Sequence, residues 1–187
     1  MKVKNLFLIE GIFFSALGGI LLFVGHLINF SVNNGQITVA GQTIIFFSHS
    51  FLIFSFISAQ YVLKPNIQDS LALDLSIIGS VFVCAIVFSE IAMAFNPELK
   101  TAIDNPVTNN IINFAPLLFV LGLILFSISL IRMDYKKPGI LLLVGNLVFA
   151  ASTLFSVNLA SVISLIGSFF TGLGFLYFGI SLRLNNN

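Results

Sequence analysis

Three side chains stand out in a chain that is otherwise poor in groups able to do chemistry: His26, His49 and Glu90. Two imidazoles and a carboxylate suffice to hold a divalent metal with an open position, and two imidazoles alone could clamp a haem. The same three groups could instead pass protons from one to another. The plainer alternative, and the favoured one, is a set of neutral hydrogen-bonding links between helices. No HxxxH or HExxH pair is present, so metal ligation lacks the helix-borne spacing that would mark it. Cys84, the sole cysteine, excludes both a disulfide framework and a thiol-rich metal site.

The elements that must position these residues are membrane spans. Hydrophobic residues make up 58% of the 187 and charged residues 8%, against roughly 25% charged in an ordinary soluble domain. Mean hydropathy is +1.08. Six apolar stretches follow at about 6–30, 43–63, 71–95, 112–131, 139–155 and 160–182. Lipid offers no partner to exposed backbone groups, so spans of this length must be helices. The fold class expected is all-α, a single polytopic bundle over 1–187. In it His26 lies near the end of the first span, His49 a turn or two inside the second, and Glu90 just over a turn before the end of the third. All three then stand at one level, roughly 6–10 Å below one boundary by helical rise.

Small residues mark the packing faces. Gly11, Ser15 and Gly19 recur every fourth residue in the first span, with His26 on the same face. Ser164, Ser168 and Gly172 repeat the spacing in the sixth and read as close-packing positions. Glu10 lies about 160° from His26 around its helix; Glu10 and Asp74, each a turn inside the opposite boundary, form a candidate inner polar pair or simply reach the headgroups. Asn146, mid-span in the fifth helix, is expected to hydrogen-bond across the bundle. Pro116 is tolerable near the first turn of the fourth span.

Lys2, Lys4, Lys64, Arg132, Lys136, Lys137 and Arg183 fall on one side of a six-span chain, and only Lys100 on the other. The positive-inside rule places both termini in the cytoplasm. The first apolar run is too long for a signal peptide and reads as a retained helix. Asn33-Asn34-Gly35 between short alternating runs suggests a small β-hairpin at 30–39, or an irregular loop. The 96–113 loop has room for one short interfacial helix around Glu98–Ile103. Asn29-Phe30-Ser31 matches a glycosylation sequon but abuts the membrane. GILLFVGHL (19–27) and GILLLVGNL (139–147) form a weak internal repeat, with Asn146 in the place of His26.

The Gly25-His26-Leu27 end of the first span, followed by Phe46-Phe47-Ser48-His49-Ser50 in the second, resembles uncharacterised small polytopic bacterial membrane proteins with a histidine at the end of helix one. The resemblance covers about the first third of the chain and implies no activity. With a net charge of +1 and no basic stripe, nucleic acid is excluded as a partner. The expected role is a non-catalytic interaction or permeation component of a bacterial cytoplasmic membrane, with lipid and a second copy or a membrane protein as partners. The alternative is a metal- or haem-binding protein, or a metal-dependent enzyme, using His26, His49 and Glu90.

Overall fold

A computed structural model describes residues 2–33, 37–96, 98–103 and 105–184. Their regular structure is entirely helical: α1 (Lys2–Asn33), α2 (Val39–Leu63), α3 (Ile67–Phe95), α4 (Glu98–Ile103), α5 (Pro106–Arg132), α6 (Lys136–Ala151), a 3₁₀ turn (Ser152–Leu154) and α7 (Val157–Leu184). Six of these, with the 3₁₀ turn extending α6, are long and apolar enough to cross a membrane. The short α4 coincides with the helix expected in the longer loop.

The helices outrun the apolar stretches because polar residues just outside them cap their first turns. Thr38 Oγ1 accepts from Gly41 N–H at 3.0 Å, Asn66 Oδ1 from Asp69 N–H at 2.9 Å, and Asn105 Oδ1 from the N–H groups of Val107 and Thr108. Pro106 follows at the first helical position, where its missing N–H costs nothing. This start moves Pro116 from the expected first turn to the helix interior, where it leaves the Ile112 carbonyl without its usual donor.

The hairpin expected at 30–39 is corrected. Phe30, Ser31 and Val32 continue α1, and Thr38 is an extended cap rather than a strand residue. Asn29 Oδ1, which accepts from both the N–H (2.9 Å) and the hydroxyl (2.8 Å) of Thr38, ties the two helix ends together. So bonded and 7% exposed, Asn29 is also unsuited to carry a glycan. Residues 34–36, the centre of the expected turn, lie outside the described residues, as does Pro97.

Each long helix packs on its predecessor and successor, and α7 returns to α1, closing a ring in the order α1, α2, α3, α5, α6, α7. Gly11 approaches Leu182 while Gly19 approaches Gly172, so α1 and α7 are antiparallel and the two chain ends share one end of the bundle. Small residues allow the approach. A methyl group on Gly19 would lie 2.6 Å from the carbonyl oxygen of Gly172, and one on Gly172 would lie 2.6 Å from that of Gly19. Ser15 and Ser55 hydroxyls meet at 2.6 Å, and Ser48 donates to the Gly18 carbonyl at 2.8 Å. The outside is covered by exposed apolar side chains such as Phe13, Phe54, Phe88, Leu121, Ile140 and Phe169, as lipid contact requires.

Candidate functional site

In the half of the ring nearer the termini the interior is solid. Phe56, Phe126, Phe175 and Phe178 are buried edge to face, with ring centroids 5.8 Å (Phe56–Phe126), 5.7 Å (Phe56–Phe175) and 5.5 Å (Phe126–Phe178) apart. Seven residues keep a side chain on nearly the same helix face and carry it about 10.5 Å along the axis. One such step away from the termini leads from Phe56 to His49, from Phe126 to Phe119 and from Phe175 to Ser168. There the phenyl plug gives way to a cavity of about 320 Å³, the size of a small ligand pocket.

All six long helices contribute to its wall. His26 and Asn29 come from α1, Gln42 and His49 from α2, Glu90 from α3, Pro116 and Phe119 from α5, Asn146 and Phe149 from α6, and Ser164, Ser168 and Thr171 from α7. The three residues singled out in the sequence therefore face one space from three consecutive helices. Among the described residues no three His, Cys, Asp or Glu side chains are gathered so as to hold a metal ion, which needs its donors within about 2.0–2.2 Å of one point. Each imidazole is instead set edge-on against a phenyl ring. The centroid distance is 5.3 Å for His26 and Phe149, and 4.6 Å for His49 and Phe119.

Two atoms in this wall lack partners. His49 is 4% exposed and Gln42 6% exposed, yet among the described residues neither Nδ1 of His49 nor Oε1 of Gln42 meets a hydrogen-bonding group. A buried polar atom left unpaired costs about 1–3 kcal/mol. Asn146 differs from expectation: its Nδ2 donates to Leu142 O of its own helix at 2.7 Å rather than across the bundle. Ser164 and Ser168, expected at a close-packed interface, line the cavity, whereas Gly11, Ser15, Gly19 and Gly172 pack helix against helix. Among the described residues no lysine or arginine is in the wall. The ion pairs among the described residues, Arg132–Asp69 and Lys136–Asp134, leave Glu90 without a basic partner.

Glu10 and Asp74 are not brought together as a pair. They lie on α1 and α3, which α2 separates in the ring, and Asp74 accepts from Gln60 Nε2 at 2.6 Å. The buried carboxylate at that end is Asp69, which no local pattern in the sequence marks. Its Oδ1 accepts from Ser129 at 2.5 Å and from Arg132 at 2.7 Å. Gln42 lies seven residues before His49 on the same stripe, in the capped first turns of α2 ahead of the apolar stretch 43–63, where no sequence pattern marks it. Comparison with protein-family models, with curated proteins and with solved structures finds no match to the chain.

Proposed function

We propose that this chain is a multi-pass integral membrane protein, its termini on the cytoplasmic side, that holds a small molecule in a pocket near the opposite face. It acts as a binding or permeation component rather than a catalyst. The observation that carries this reading is the pair of buried, unpartnered atoms, His49 Nδ1 and Gln42 Oε1, on the wall of a 320 Å³ cavity. A bound molecule with complementary polar groups would remove the cost of leaving them unpaired. The phenyl plug makes the pocket one-sided in this conformation, so permeation would require Phe56, Phe126, Phe175 and Phe178 to repack.

The test is ligand-dependent stability of the purified protein, followed by circular dichroism across a panel of small cations, neutral molecules and anions. Occupancy at a hundred times Kd stabilises by about 2.7 kcal/mol. A stabilising compound should lose its effect when Ser164→Phe or Val120→Phe fills the cavity from α7 or α5. A panel without any stabilising compound, or stabilisation that survives both folded variants, overturns the pocket. A Soret band in the protein as purified would replace it with haem held by His26 and His49.

A further inference from the structure

We infer that the cavity takes a small amphipathic amine, its ammonium directed at Glu90 and its apolar body against Phe119 and Phe149. This deepens the pocket reading above and rests on it. The wall combines one carboxylate with no lysine or arginine, and Glu90 has no ion pair among the described residues. A ligand that supplies the positive charge completes the site, whereas an anion would add a second negative charge beside the first.

The neutral groups accommodate the same ligand. Gln42 Oε1 is an unpartnered acceptor. Asn146, whose amide nitrogen donates to Leu142 O, adds a carbonyl oxygen to the same group. A neutral imidazole has one acceptor nitrogen and one N–H donor, so His26 and His49 can each accept from an ammonium. An ammonium, with three donors, can use these acceptors; the wall's hydroxyls and imidazole N–H groups serve neutral ligands as well, so it is Glu90 that separates an ammonium from a carboxylate. Most of the remaining lining is aliphatic or aromatic, with Ser161, Ser164, Ser168 and Thr171 adding hydroxyls from α7, and phenyl faces attract a cation as well as an apolar body. Asn29 belongs to a different task, because its oxygen is already shared by the N–H and hydroxyl of Thr38.

Three probes with a common phenethyl body separate this inference from the reading beneath it: phenethylamine as its ammonium ion, 2-phenylethanol, and 3-phenylpropionate. Binding to the full-length protein in detergent is measured by titration calorimetry, for wild type, Glu90→Gln and Gln42→Leu. The ammonium should bind best and the carboxylate worst. Glu90→Gln should weaken the ammonium roughly tenfold to a hundredfold, the worth of a charge-assisted hydrogen bond, and leave the alcohol within about threefold. If alcohol and ammonium bind alike and Glu90→Gln changes neither, the pocket stands and the amine falls. If none of the three binds, or binding survives Ser164→Phe, both fall.

Discussion

The buried carboxylate Asp69 is held by charge and geometry together. Arg132 reaches it from the last turn of α5 while its own guanidinium side stays half exposed, and Ser129, one turn earlier, donates to the same oxygen. Removing the arginine leaves a buried negative charge with only a hydroxyl for company. Solvent screening of the exposed partner reduces the effect below that of a fully buried pair. Arg132→Ala should therefore lower unfolding stability by about 1–3 kcal/mol, read from urea or detergent-denaturant melts. Asp69→Leu on top of Arg132→Ala should recover part of the loss, because the stranded charge goes with it. Equal stability of wild type and Arg132→Ala would show that Ser129 alone satisfies the carboxylate. Nothing local announces this pair, since its members lie 63 positions apart. His26, His49 and Glu90 were legible as sharing a level because helical rise fixes depth. Whether their donors meet at a point depends on rotation about three axes, which the apolar pattern leaves open.

At the scale of elements, small residues recurring every fourth position serve two ends in this protein. Gly19 and Gly172 bring two backbones together; in the same α7 stripe, Ser164 and Ser168 open the wall of a cavity. Spacing alone is the same in both cases, which is why the sequence legibly marks the stripes and not their roles. Substitution separates them. A methyl group at Gly19 would meet the Gly172 carbonyl at 2.6 Å and the Phe175 Cβ at 2.8 Å, and neither belongs to the far end of a flexible side chain. Gly19→Ala should cost about 1–3 kcal/mol, while Ser164→Ala should stay within about 0.5 kcal/mol. Both are measured in the same denaturation assay. A destabilising Ser164→Ala with a silent Gly19→Ala would reverse the assignment of the stripe. Helix limits show a similar division. The apolar cores were legible to within a few residues, but Thr38, Asn66 and Asn105 extend three helices beyond them through side-chain caps.

For the whole molecule, the number of spans follows from what lipid excludes, and length suffices to count them. Ring closure was not legible, because an apolar stretch specifies a thickness and not its neighbours. Once the ring is closed with antiparallel α1 and α7, the cavity belongs to the end that carries Lys100, and all other basic residues among the eight lie at the end that carries the termini. With the proposed orientation, the basic end cytoplasmic, the pocket would open outward and an external ligand would reach it without passing the phenyl plug. Single cysteines in a Cys84→Ser background test this arrangement in intact cells. Thr101 on α4 and Lys137 at the start of α6 are both exposed and at opposite ends of the bundle. A membrane-impermeant maleimide should label Thr101→Cys in intact cells, and Lys137→Cys only after permeabilisation. The reverse pattern would turn the pocket toward the cytoplasm, so that a ligand would have to come from inside. Labelling of both from one side would break the six-span ring itself, since no even closure of these helices places those two positions on the same face.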